Sequence, residues 1–159
     1  MSKYPIQGDE SIMAPKAHGT VAAPLQENLR YRVDAGTADR VCCFNRHYAE
    51  HAGYFMETDW HKTVDKDGPT TYYDPADGKP LFIAPKNRSF EDFLKESKAH
   101  GWPSFRDDEV VWDNVRCLPN GEAVSLAGTH LGHNLPDGKG NRYCINLVSC
   151  AGNPSDEAK

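Results

Sequence analysis

Turn-forming residues recur along this chain at such short intervals that few long elements have room to form. DKDGPTTYYDPADGKPLF spans 65–82, PNG falls at 119–121, PDGKG at 136–140 and CAGNP at 150–154. Gly, Pro, Asn and Asp in such clusters end strands and close hairpins. Between them stand short β-prone pieces at Thr70–Tyr73 and Pro80–Ile83. EVVWDNVRCL and EAVSLAG flank PNG and read as a β-hairpin. RYCINLVS reads as a final strand. The one clear helix signal is SFEDFLKESKAHG: Ser89 caps it, Asp92 sits at N3, Phe90, Phe93 and Leu94 share a face, and Gly101 closes it. A short helix also fits TADRVCCFNRHYAEHAG at 37–53. Many short strands and little helix give a mainly β or α+β fold class, built on antiparallel strands with a few short helices.

At 159 residues the chain fits a single domain. Residues 1–24, rich in Pro, Gly, Ala and Ser, read as an extended or frayed N-terminal arm, 25–152 as the domain and 153–159 as a C-terminal tail. The 18 basic residues are scattered among 23 acidic ones for a net charge of −5, which argues against a nucleic-acid binder. No apolar run reaches the ~18 residues of a membrane helix. MSKYPIQGDESIMAPKAHG has no apolar h-region, so a cytoplasmic address is expected.

Cys42, Cys43, Cys117, Cys144 and Cys150 make an odd set with no CxxC pair, which predicts free thiols and no structural zinc. Period-2 alternation in RYCINLVS puts Arg142, Cys144 and Asn146 on one face and Tyr143, Ile145 and Leu147 on the other. An arginine beside a thiol favours the nucleophilic thiolate. His130 and His133, three residues apart in HLGH, suit proton donation, because imidazole titrates near neutrality. Nothing in the spacing of His47, His51 or His61 adds metal ligands, and no metal is expected. Trp102, just after the helix, is either a core lid or one wall of a ligand pocket.

GWPSF (101–105) followed by HLGH (130–133), a PDG turn and RYCIN (142–146) resembles the methionine-R-sulfoxide reductases, the MsrB or SelR family. The resemblance is strong from about Gly101 to Ser149, weak from Tyr73 to Phe82, and absent before about Gly53. It implies a compact fold of two small antiparallel sheets that reduces the R epimer of methionine sulfoxide, free or in proteins. It makes Cys144 the nucleophile, ending as a sulfenic acid. Trp102 would cradle the substrate methyl with Phe105 close by. His130 and His133 would bind and protonate the sulfoxide oxygen. Arg142, Asn146 and Asp137 would orient and tune the group. The implied partners are methionine sulfoxide and thioredoxin or another thiol reductant, with no cofactor.

Many members of that family carry two CxxC pairs that hold zinc. Here the corresponding places are Asp74 and Asp77, and about Val124 and Ala127, so the resemblance is to a zinc-free form. The position that holds a resolving cysteine in some members is His100. Cys150, six residues beyond Cys144 on an extended strand, would lie about 20 Å away. Cys117 shares a hairpin face with Val111 and Val115 and reads as core. Other members draw the resolving thiol from an N-terminal loop, which leaves Cys42 or Cys43, or direct reduction by an external thiol. A non-catalytic module holding a methylated or sulfoxidised side chain on the same scaffold is the rival function.

Overall fold

A computed structural model gives the architecture, described for residues 3–155. Its strands form two antiparallel sheets. β1 (Thr70–Tyr73) and β2 (Pro80–Ala84) make a two-stranded sheet. β3 (Ser104–Phe105), β4 (Val115–Cys117), β5 (Glu122–Ser125), β6 (His130–Asn134) and β7 (Tyr143–Ile145) make a five-stranded sheet in the order β3-β7-β6-β5-β4. Three short α-helices accompany them: α1 (Ala35–Asp39), α2 (Trp60–Thr63) and α3 (Phe90–His100). The fold is the mainly β type that the turn spacing predicts. Among the described residues no helix is long and apolar enough to cross a membrane.

The main core is aromatic and lies where the two sheets and α3 meet. Phe82 of β2 stacks on Phe105 of β3 with centroids 4.2 Å apart and an interplanar angle of 7°. Trp60 donates its indole N–H to the Tyr72 hydroxyl at 2.9 Å, so a buried polar tip is satisfied. Tyr143, Ile145 and Leu147 are buried here, as the alternation in RYCINLVS requires. Truncating one of these buried phenylalanines to Ala would cost about 3–5 kcal/mol.

α3 forms as its sequence signals dictate. The Ser89 hydroxyl accepts from the Asp92 N–H at 3.1 Å, Phe90 and Phe93 are buried, and Gly101 ends the helix at φ 92°. PNG closes the β4–β5 hairpin, with Gly121 at φ 96°. The helix foreseen within 37–53 starts earlier, at Ala35, and continues through a π-helical turn, Arg40–Phe44.

Two expectations change. The last strand ends at Ile145, and Leu147–Cys150 is a 3-10 helix instead of a continuation. Its cause is Glu50, whose buried carboxylate accepts from the Leu147 and Val148 N–H groups at 2.9 and 3.1 Å and takes them out of any ladder. Cys150 is therefore coiled back into the core, not 20 Å along a strand. The N-terminal arm is packed against the body. Cys117 N–H donates to Ile6 at 2.9 Å and Gly8 N–H to Cys117 at 3.0 Å, which covers the edge strand β4. Met13 packs on Leu118 and Val124, and Val21 joins Ala38, Val41, Cys42, Cys43 and Val148 in a second core. Residues 156–159 of the expected tail lie outside the described residues.

Candidate active site

The sheet register places the chemistry-bearing residues side by side. Cys144 of β7 pairs with Ser104 of β3 on one side and with His133 of β6 on the other. His133 in turn pairs with Glu122 of β5, so a row Ser104–Cys144–His133–Glu122 crosses the sheet. Gly132, one of the two residues between the histidines, is glycine for a steric reason. A Cβ there would sit 2.0 Å from the Cys144 carbonyl oxygen, and only glycine lets β6 approach β7 so closely.

A cavity of about 300 Å³ opens over this row. Trp102, His130, His133, Cys144 and Asn146 line it, together with Arg46–Ala49, Gly132 and Leu135. Trp102 is fixed by donating its indole N–H to the Glu50 carbonyl at 2.9 Å, so it forms a wall and not a core lid. His130 is buried, with Nδ1 2.7 Å from Glu122 Oε2. Burial works to raise the Glu122 carboxyl, but its bonds with His130 and Arg46 outweigh that and hold it below the ordinary range. Arg46 Nε lies 3.0 and 3.1 Å from the two Glu122 oxygens. An ionised Glu122 fixes the His130 tautomer with a proton on Nδ1, leaving Nε2 to exchange a proton with a ligand. His133 stands exposed at the mouth, its pKa lowered by partial desolvation and by His130.

Cys144 is half-buried with a free thiol. Burial pushes this thiol up, and the adjacent Arg142 guanidinium only partly pulls it down, while Glu50 adds to the rise. The net direction is thus opposite to what an arginine neighbour alone would give. Arg142 is buried, its Nε and Nη1 have no hydrogen-bond partner among the described residues, and Asp137 Oδ2 lies 3.7 Å from Nε. Asn146 is held at both ends of its amide. Its Oδ1 accepts from Glu50 N–H at 3.0 Å, and Nδ2 donates to Leu131 O at 3.1 Å.

Other expected site residues lie elsewhere. Phe105 is 0% exposed and stacked in the aromatic core. Its strand pairs Ser104, not Phe105, with Cys144, so the next side chain along points inward, away from the pocket. Asp137 faces a larger, charged cavity beside α3, where it takes two 3.0 Å bonds from Arg106, and Arg142 stands between it and Cys144. Cys42 and Cys43 are 0% and 2% exposed in the second core, not on an open loop. Sequence reasoning passed over Glu50, Arg46 and Glu122. Each is a single charged residue in a polar stretch or beside a turn, where a solvated face is the ordinary reading, and only burial gives it meaning.

Of the places that would carry paired cysteines, Asp74, Asp77 and Ala127 line one small cavity of about 100 Å³, while Val124 is buried with Met13 and Leu118. The donors do not fit a structural zinc, which takes four nitrogen or sulfur ligands. Asp74 is buried and accepts from Ala76 N–H at 2.9 Å and the Thr129 hydroxyl at 2.7 Å.

No family model and no solved structure matches the chain. Curated sequences do. The peptide methionine sulfoxide reductase MsrB of Methanosarcina barkeri is 33% identical over 99 residues, 55% of this chain and 69% of that protein. The enzyme of the same name from Methanosarcina mazei is 39% identical over 88 residues, 49% of this chain and 63% of that protein. Mouse methionine-R-sulfoxide reductase B3, mitochondrial, is 26% identical over 163 residues, 92% of this chain and 60% of that protein. With such relatives, and with the thiol, the two histidines and the tryptophan gathered round one cavity, the chain belongs to the MsrB family of peptide methionine sulfoxide reductases.

Proposed function

We propose that the protein reduces methionine-R-sulfoxide, free or in proteins, to methionine through Cys144. The observation that carries this is the meeting of a half-buried thiol, two histidines and an aromatic wall in one cavity of about 300 Å³. The methylthio end of the substrate rests on Trp102 through dispersion and sulfur–aromatic contact. The Cys144 thiolate attacks the sulfoxide sulfur while His130 or His133 protonates the oxygen, which is otherwise a poor leaving group. In sum, thiol and sulfoxide become sulfenic acid and thioether, so the oxygen passes to Cys144 and two electrons pass to the substrate. Two external thiols then return the sulfenic acid to the thiol and leave as a disulfide plus water.

Burial of Cys42 and Cys43 supports direct reduction by thioredoxin or another thiol over an internal disulfide, because either thiol would have to leave the second core to reach Cys144. Hydrogen bonding of Asp74 to Thr129 and Ala76 supports a zinc-free form at the place of the paired cysteines.

Turnover of separated R and S epimers, with dithiothreitol and with thioredoxin, tests the reading. R-specific reduction is expected, with Cys144→Ser inactive but folded. Binding of the sulfoxide without turnover would instead favour the non-catalytic module. The double variant Cys42→Ala, Cys43→Ala should keep thioredoxin-driven turnover, and its selective loss would restore one of those thiols as the resolving group.

A further inference from the structure

Around the π-helical turn, three side chains outside the proposed reaction converge. His18 Nε2 and Asp39 Oδ1 are 2.6 Å apart, and the ligand atoms of His18, Asp39 and Cys43 all lie within 4.8 Å of one another. Asp39 and Cys43 are four residues apart at the end of α1 and in the turn that continues it, so they share a helical face. His18 is brought to them by a tight loop in which His18 and Val21 exchange backbone bonds at 3.0 and 3.1 Å. That loop is pressed onto the helix. Thr20 N–H donates to the Cys43 carbonyl at 3.0 Å, and a Cβ on Gly19, at φ 62°, would stand 2.0 Å from that oxygen.

We propose that His18, Asp39 and Cys43 form a binding site for a divalent cation of the zinc class. Thiolate, imidazole and carboxylate are the three ligand types zinc takes, and the thiolate disfavours magnesium and calcium. Zinc bond lengths place tetrahedral ligand atoms about 3.3–3.7 Å apart, so His18 and Asp39 need to part by less than about 1.1 Å. Among the described residues the Cys43 thiol has no hydrogen bond, and it is 2% exposed beside a carboxylate. A bound dication would displace the thiol proton and balance the Cys43 thiolate and the Asp39 carboxylate. A cavity of about 340 Å³, lined by Gly19, Thr20, Phe44 and Arg46 among others, borders the site at Cys43. Bound there, the ion would tie the 16–21 loop to the segment that runs on into Arg46–Ala49, one wall of the catalytic cavity.

Cobalt(II) added to the metal-free full-length protein tests this. One equivalent should bind with a thiolate-to-cobalt charge-transfer band, and zinc should displace it and raise the thermal midpoint. Cys43→Ser should abolish the band, and His18→Gln and Asp39→Asn should weaken binding at least about tenfold. Cys144→Ser should leave the band in place, which separates this site from the catalytic thiol. Absence of the band from folded wild-type protein, or its survival in Cys43→Ser, would overturn the proposal. If Cys43→Ser does not fold, unchanged cobalt affinity in His18→Gln overturns it equally.

Discussion

Two side chains work on the Cys144 thiol in opposite senses. Arg142 pulls its pKa down and Glu50, behind the Leu147 and Val148 amides, pushes it up. Burial has itself raised Glu50 to about 7, so Glu50 carries most of its charge only above neutrality. For the proposed reaction, a rise in kcat/KM on the alkaline side would report ionisation of the free enzyme's thiol. Arg142→Gln should move that rise to higher pH and lower activity at pH 7, and Glu50→Gln should move it to lower pH. Profiles that coincide with wild type in both variants would remove these groups from thiol control. Cys144, the two histidines and Trp102 could be picked out as residues because their types are costly or reactive and they stand in short distinctive strings. Phe105 could not be placed. β3 is only two residues long, too short for a period to be read, and which of Ser104 and Phe105 faces the thiol depends on its pairing with β7. Glu50 escaped for the opposite reason, since its string HYAEHAG shows no apolar period and its burial comes from packing under residues nearly a hundred positions away.

Among the elements, β6 is the one on which the site depends most. It carries both histidines, and Gly132 between them lets its backbone lie against the Cys144 carbonyl. Gly132→Ala would set a methyl 2.0 Å from that oxygen, so β6 or β7 must shift. A cost of about 1–3 kcal/mol in stability is expected, of the kind overpacking produces. Because a displacement near 1 Å can cost about 100-fold in rate, turnover should fall far more than stability does. Denaturant midpoints and kcat measured on the same preparation would check this, and wild-type turnover in Gly132→Ala would show that the approach of the strands is unimportant. α3 and the β4–β5 hairpin were legible because caps and turns act locally: a hydroxyl at Ser89, a glycine at φ 92°, a glycine at φ 96°. The end of β7 was not legible. Leu147–Ser149 is as apolar as a strand, and the group that coils it is Glu50, distant in sequence and supplied by the fold.

At the scale of the whole molecule, the buried acids set how stability responds to pH. Burial raises Glu50 from 4.5 to about 7, and burial followed by Asp77 raises Asp74 from 3.8 to about 6. The folded chain then binds more protons than the unfolded one between the unfolded and folded pKa values, so these two groups make stability fall as pH rises through roughly 4 to 7. For Glu50 the cost when fully ionised is on the order of 3 kcal/mol. Glu122 is lowered, so its contribution is present above its unfolded pKa and lost as pH falls through the folded one. His133, also lowered, favours the fold as pH rises toward 6.5, but it is exposed and its effect is small. Together they place the maximum of stability in mildly acidic solution, near pH 5, with a decline on either side. Chemical denaturation from pH 4 to 8 should show that maximum. Glu50→Gln should flatten the neutral side of the curve, because an amide keeps an acceptor for a backbone N–H and has no proton to lose between 4.5 and 7. A midpoint that instead climbs steadily from pH 5 to 8 in wild type would mean that Glu50 and Asp74 ionise in the fold as readily as in the unfolded chain.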